Sequence, residues 1–367
     1  MIRFISLCTL LLLSGPESHG NDTFSVFVPD RPNQQLLSIS FREPASGVSI
    51  IREQSLPLPF PPAGITRHPN GEFLVINGAS KETPAVATVK VSKNSYMNLV
   101  ATSTLEQPAG YTSVDRSGRY YMTVHYGTAA TAVYPIDKAG KIGESIYSQN
   151  SPNKEAHCIL TTPDNRFAYI PCVKNSNALF QYSFDESTGQ LSSLEPFNAN
   201  PPAMFGPRHV AYHPSLPIAY LSNEQQLGVS VYEIGENGQL TDRQHAITMS
   251  RRSPFEQGKR DLHASDLVLS PDGRMLFVAV RDFAGDEDSV FTFRIESDGR
   301  LSPIAQTKVG DIPWKLDVSP SGKHLLVKDS GDNKLSIYQI KSNGSLSLAS
   351  SIEMATGTND IAIIELR

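Results

Sequence analysis

His157, Arg208, Glu224 and Arg281 supply a proton carrier, a carboxylate and two guanidinium groups. They fall at two recurring positions of one repeat, six residues before or ten residues after a turn anchor. With the turn centre two residues past the anchor, these two positions are cross-strand partners at the open end of a hairpin. All four side chains are then carried to the same rim by three consecutive repeats. His and Glu can move protons near neutral pH, and Arg presents a planar fork suited to carboxylate or phosphate. The set therefore reads as an anion site with an acid/base pair. Arg208 with Glu224 also reads as a plain cross-strand ion pair, and His157 as a hydrogen-bonded rim residue. Arg281 is different: in this register it faces Ser265, has no carboxylate of its own, and is available to a ligand anion. The other repeats place Ala63, Gly110, Ser265 and Trp314 at the first position and Ala79, Tyr126, Val173 and Ser330 at the second.

The elements that position these residues announce themselves by their period. A short apolar strand, a Pro/Asp/Asn/Gly turn and a second apolar strand recur at Pro69, Arg116, Pro163, Pro214, Pro271 and Pro320, separated by 47, 47, 51, 57 and 49 residues. A four-stranded propeller blade needs about 40 to 50 residues, so each period holds one blade, with an insertion before Pro271. The stretch from Ser25 to Ile51 alternates apolar and polar residues, and Asp360 to Leu366 reads as one isolated strand. A ring must close without an exposed sheet edge, so the C-terminal strand is expected to join the N-terminal strands in a seventh blade. The predicted fold is all-β: a single seven-bladed β-propeller over residues 21–367. The 25 Gly and 26 Pro and the absence of long helical periodicity agree with it.

The first twenty residues predict a cleavable export signal, with Arg3 as the charged start, Phe4 to Leu13 as the apolar run and Ser18-His19-Gly20 as the cleavage site. That run is too short to span a bilayer. The expected destination is the periplasm or the outside of the cell. Export would leave Cys158 and Cys172, which a turn centre near Asn165 sets opposite each other within reach of a disulfide; two buried thiols acting as small hydrophobes is the alternative. A net charge of −5 with no Lys/Arg cluster beyond Arg251-Arg252 gives no footprint for nucleic acid. The run from Arg251 to His263 either adds cationic groups above the channel or forms a solvated loop.

Three segments, EAHCILTTPDNRFAYIP around His157, GPRHVAYHPSLPIAYLSNE with Arg208 and Glu224, and ASDLVLSPDGRMLFVAVRD ending at Arg281, resemble the β-propeller lactonases. That family includes bacterial 6-phosphogluconolactonase and the fungal carboxymuconate lactonizing enzyme. The resemblance covers the second half of the chain best, and the segment from GPRH to NE is its most specific part. It implies a seven-bladed fold, no cofactor and no required metal, and it matches His157, Arg208, Glu224 and Arg281 to the residues proposed for catalysis or substrate binding in the family. The final GTNDIAIIEL departs from the family's usual Pro-aromatic ending. Export departs from the cytoplasmic setting of the sugar-phosphate lactone, which turns the expectation toward a different small anionic lactone.

Other catalytic signatures are missing their mechanical parts: there is no GxSxG, HExxH, GxxxxGK[ST] or CxxC. Asp115, Asp164 and Asp272 read as turn formers. Two functions remain open from the sequence, namely hydrolysis or closure of a lactone and a non-catalytic propeller that binds a ligand or protein at its rim.

Overall fold

The computed structural model describes residues 23–44, 47–150, 154–248, 261–355, 357 and 359–365. The expected export segment, residues 1–20, and the part of the cationic run within 251–260 lie outside them. The described residues form seven four-stranded antiparallel sheets. Numbered from the closing blade, blade 1 holds Ala362–Glu365, Thr23–Asp30, Gln35–Arg42 and Ser49–Pro57, and blade 2 holds Pro62–Arg67, Phe73–Ser80, Thr83–Val91 and Met97–Thr104. Blade 3 holds Tyr111–Val114, Tyr120–Val124, Ala130–Pro135 and Tyr147–Asn150, and blade 4 holds Leu160–Thr161, Phe167–Cys172, Ala178–Asp185 and Gln190–Asn198. Blade 5 holds Pro207–Tyr212, Ile218–Asn223, Gly228–Ile234 and Leu240–Ile247. Blade 6 holds Leu262–Leu269, Met275–Asp282, Ser289–Ile295 and Leu301–Lys308, and blade 7 holds Pro313–Val318, His324–Asp329, Lys334–Ile340 and Leu346–Glu353. First strands touch first strands of neighbouring blades, as in blades 5, 6 and 7, so the first strand of each blade lines the central channel.

The anchor turns explain why these hairpins form. The residue before each anchor caps the turn with its side chain: Asp115 Oδ1 accepts from the backbone N–H of Arg119 and Tyr120, each at 2.8 Å. Thr162, Ser270 and Ser319 accept from the backbone N–H of Phe167, Met275 and His324. Two residues past the anchor the chain turns left-handed, at Gly118 (φ 75°), Asn165 (φ 59°) and Gly273 (φ 69°), which favours glycine or asparagine. Apolar residues on alternate sides of each sheet then pack against both neighbours, giving one buried cluster between every adjacent pair of blades. The second-strand tyrosines Tyr169 and Tyr220 staple blades together, donating to Gly238 O at 2.7 Å and Gly299 O at 2.9 Å in the next blade.

The ring closes as the sequence predicts. Ala362–Glu365 pairs antiparallel with the N-terminal strand, Phe24 opposite Glu365 and Phe27 opposite Ala362. Ile361, Ala362, Ile363 and Ile364 are buried there; burying one such large aliphatic side chain is worth about 1.5–3 kcal/mol.

The cysteine register is a correction. Ala156, not Cys158, bridges to Cys172. Cys172 packs between blades 3 and 4, whereas Cys158 packs between blades 4 and 5. The two are on opposite faces of one sheet, and both are free, buried thiols. Burial pushes them up to about 12 and about 11 respectively.

Candidate active site at the channel mouth

Arg208 enters the channel at the start of the first strand of blade 5. The chain reaches it through Gly206, whose φ of 62° favours glycine and where a Cβ would lie 1.6 Å from Gln225 Oε1, so a larger residue would have to displace that side chain. Gly206 O accepts from the N–H of Glu224 at 2.7 Å, which draws the end of the second strand against the start of the first. Glu224 Oε2 then stands 2.9 Å from Arg208 Nε and 3.5 Å from Arg281 Nη2. All three residues are buried. Trp314, at the start of the first strand of blade 7, lies against both guanidinium groups, 5.7 Å from Arg208 and 4.6 Å from Arg281. Arg281 also stacks on Phe283 at 5.2 Å.

The structure brings the four residues singled out by sequence to one mouth of the channel. Two details of their pairing are corrections. Arg281 is opposite His263, not Ser265: the pairing nearer the turn, Leu267 with Val278, already points to Ala264, and the bulge between Ala264 and Leu267 shifts the partner by one more. Nor is Arg281 without a carboxylate, since it shares Glu224 with Arg208. The Nε–H groups of both arginines remain buried with no aligned acceptor; the Arg208–Glu224 contact is an ion pair whose N–H does not point along it.

The electrostatics set the protonation states. Burial alone would raise the pKa of Glu224, but His263, Arg208 and Arg281 more than offset it and hold the carboxyl well below the usual range. Burial, reinforced by Arg208 and His209, pushes His157 well below the ordinary imidazole value, so it is neutral at pH 7. Its ring lies edge-on to Tyr126 and to His209, each 5.6 Å away. Two guanidinium charges against one carboxylate leave one net positive charge among these four residues.

Sequence reasoning missed the layer beneath. Arg208 Nη1 lies against the His209 ring, 3.2 Å from Nε2 and 3.5 Å from Nδ1, and His209 Nδ1 lies 2.7 Å from Asp266 Oδ1. Asp266 Oδ2 in turn accepts from Leu316 N–H at 3.0 Å and pairs with Lys315 Nζ at 3.1 Å. Burial and Arg208 push His209 down to about 4. The signal was there: Asp266 and Lys315 are charged residues inside the mainly apolar innermost strands ASDLVL and PWKLDV, the second of which also carries Asp317. Trp314 and Tyr126 occupy the same two repeat positions as the charged residues. Among the described residues no cluster of three or more His, Cys, Asp or Glu side chains could hold a metal ion. None of their helices is long and apolar enough to cross a membrane.

Comparison with known proteins agrees with this architecture. The chain is 24% identical over 315 residues to a 6-phosphogluconolactonase of Yersinia pestis, covering 85% of this chain and 89% of that one. It is 22% identical over 289 residues to the Yersinia enterocolitica 6-phosphogluconolactonase, covering 78% and 83%. Among solved structures, the periplasmic gluconolactonase PpgL of Pseudomonas aeruginosa superposes with a TM-score of 0.82 at 19% identity, covering 94% of this chain and all of that one. The family described as lactonase, 7-bladed beta-propeller, matches residues 56–359, and the chain belongs to it.

Proposed function

We propose that this protein hydrolyses a small lactone bearing at most one negative charge, at the mouth formed by blades 4 to 7. The observation that carries this reading is the convergence of Arg208 and Arg281 on the single carboxylate of Glu224 beside a neutral His157. The sum of one positive charge suits a neutral ester that develops one negative charge on its acyl oxygen, and it is a poor match for a phosphate dianion. Groups that bind the transition state better than the substrate accelerate the reaction.

In this reading His157 takes a proton from water as the water oxygen bonds to the acyl carbon. The negative charge on the acyl oxygen is stabilised by the net positive charge of the two guanidinium groups. Collapse breaks the ring C–O bond, and the departing alkoxide recovers the proton from His157, releasing an open-chain hydroxy acid. Glu224 stays ionised; it holds the arginines and favours the imidazolium that forms transiently. General base action contributes about 10²–10⁴-fold and each well-placed oxyanion donor about 10²–10³-fold. The apolar N-terminal run and the likeness to a periplasmic gluconolactonase support an exported enzyme that meets its lactone outside the cytoplasm.

The test is a pH-stat assay on δ-gluconolactone, 6-phosphogluconolactone and a muconolactone, corrected for spontaneous opening. Turnover that favours the unphosphorylated lactones supports the assignment. Preference for the phosphorylated one removes the charge argument, and absence of turnover with all three removes the enzyme.

A further inference from the structure

We infer that Trp314 is a ligand-contacting residue of this mouth, whose indole N–H donates to a hydroxyl oxygen of a hydroxylated lactone ring. The inference rests on the lactonase reading for the class of the ligand; the presentation of the indole stands on geometry.

One backbone device delivers Trp314 and two of the residues already placed at the mouth. Two residues before His157, Arg208 and Trp314 the chain turns left-handed, at Glu155 (φ 68°), Gly206 (φ 62°) and Ile312 (φ 52°). Each of the three donates its N–H to the preceding blade, to Tyr126 O at 2.8 Å, Asn177 Oδ1 at 2.8 Å and Asp288 Oδ1 at 2.9 Å. Each accepts at its carbonyl from the residue ten past the anchor, Val173, Glu224 and Ser330. Glycine suits such a φ, but Ile312 is β-branched and strained there. Strained residues persist only where their surroundings over-determine them, and they cluster at ligand sites. Past Ile312, Pro313 pairs with Asp329 and Lys315 with Lys328, which leaves Trp314 without a cross-strand partner. A bulge of this kind re-aims the side chain it carries, and Ser265 Oγ fixes it against blade 6 by donating to Pro313 O at 2.7 Å. The fold itself needs no large side chain at this position, since the corresponding bulge in blade 2, between Pro62 and Gly64, carries Ala63.

The face and the edge of the indole have different neighbours. Both guanidinium groups lie over the ring, Arg281 at 4.6 Å and Arg208 at 5.7 Å, so the arginines occupy its face. The N–H lies in the ring plane and is left to other partners. Trp314 is partly exposed, and its Nε1 is not sealed from water and bonds no acceptor among the described residues. Indole N–H can only donate. The acyl oxygen of a lactone, where charge develops, belongs with the guanidinium groups. A neutral donor beside them suits an uncharged acceptor, and on a lactone ring the strongest of those is a hydroxyl.

Trp314 is the only tryptophan of the chain, so its emission reports on this site directly. The protein is titrated with δ-gluconolactam, a hydroxylated ring whose amide resists hydrolysis, and with δ-valerolactam, the same ring without hydroxyls. Emission should change saturably with δ-gluconolactam, at concentrations about 5- to 10-fold below those δ-valerolactam requires, the worth of one neutral hydrogen bond. Equal affinities overturn the inference, as does δ-gluconolactam binding seen by calorimetry without a change in emission. Trp314→Phe keeps an aromatic face for the guanidinium groups and removes the N–H. By calorimetry it should erase most of the preference between the two lactams, whereas a purely structural role would weaken both alike, and an unchanged ratio overturns the contact. Should the Phe variant fail to fold, the wild-type titration decides alone. If δ-gluconolactam changes the emission but no lactone is turned over, the inference stands and only the lactonase reading falls; if neither lactam binds, both fall.

Discussion

Two buried carboxylates at the same end of the ring, Glu224 beyond the second strand of blade 5 and Asp329 at the end of that strand in blade 7, are in opposite electrostatic states. Glu224 is held ionised by two guanidinium groups. Asp329 has none. Lys328 beside it is fully buried but donates to the backbone oxygen of Asp329 at 3.0 Å rather than to its carboxyl. Burial pushes Asp329 up to about 7, with Asp332 and Asp288 adding to the shift against Ser336 and Lys328. It pushes Lys328 down to about 8. One Asp329 oxygen is bonded to the Ser336 hydroxyl and the other has no partner. The register shows what Asp329 replaces: it pairs with Pro313 as Asn223 pairs with Pro207, and Asn223 bonds Ser230 as Asp329 bonds Ser336. Burial is common to both acids. What separates them is a fixed cation within reach of the oxygen, present at Glu224 and absent at Asp329.

The most direct way to break the comparison is Glu224→Gln. Removing one partner of a buried ion pair costs about 3–5 kcal/mol, because the other charge stays buried without compensation, and here two charges are left. Urea unfolding at pH 7 should show a loss of that size together with loss of lactone hydrolysis. The folded pKa of Glu224 is depressed, so its contribution is present above the ordinary carboxyl value of 4.5 and is lost as pH falls through the folded pKa. The gap between wild type and variant should therefore close in acid. A loss below about 1 kcal/mol at pH 7 would mean the pair is no stronger than an exposed one.

His157→Gln should be smaller in stability and large in rate. The side chain is half-buried and outside the ion pair, so melting should scarcely change, while kcat should drop about 10²–10⁴-fold. The depressed pKa of His157 also fixes the pH profile. In the wild type kcat/KM should be flat between pH 6.5 and 8 and fall only in acid as the base is protonated. An acid limb centred at or above 6.5 would assign the base role to another group.

The ring, its blade count and its shared closing blade were legible because each depends on a repeated local signal. A capping side chain before Arg116, Pro163, Pro271 and Pro320, and a left-handed residue two past most of the anchors, are chemistry of a few adjacent residues. The register beyond the hairpins was not legible. Bulges in the first strands, at Pro207/Val210, Ala264/Leu267 and Pro313/Lys315, shift pairing by one residue. The turn centre also lies half a residue earlier than two past the anchor, as Leu160 opposite Tyr169 and Leu269 opposite Leu276 show, so counting outward from the turn missed by two residues and set Cys158 against Cys172 and Arg281 against Ser265. The four rim residues survive that error because a shift of two still leaves them at the same end of the ring. His209, Asp266 and Lys315 were missed because their roles come from three different blades meeting in the channel, a proximity with no trace in spacing along the chain.

The comparison is sharpened by Asp329→Asn, the mildest of these changes and the one expected to stabilise. The variant keeps a side chain able to bond Ser336, as Asn223 already does with Ser230. It removes the need to bury an ionised carboxyl. The folded pKa of Asp329 is raised to about 7 against an ordinary 3.8, so the folded state binds the proton more tightly than the unfolded chain. Its contribution is most favourable below 3.8 and declines as pH rises toward 7, after which the deficit is constant. Asn should thus gain about 1–3 kcal/mol at pH 8, less than the full linkage value because the amide keeps a buried polar atom where Asp329 Oδ1 has no partner. That gain should vanish near pH 4, the reverse in sign of Glu224→Gln at neutral pH. Thermal melts at pH 4, 6 and 8 read it directly, at about 1–2 °C per kcal/mol for a chain of this size. If Asp329→Asn lowers the melting temperature at pH 8, the carboxylate is ionised and paired with Lys328, and the two acids are alike after all.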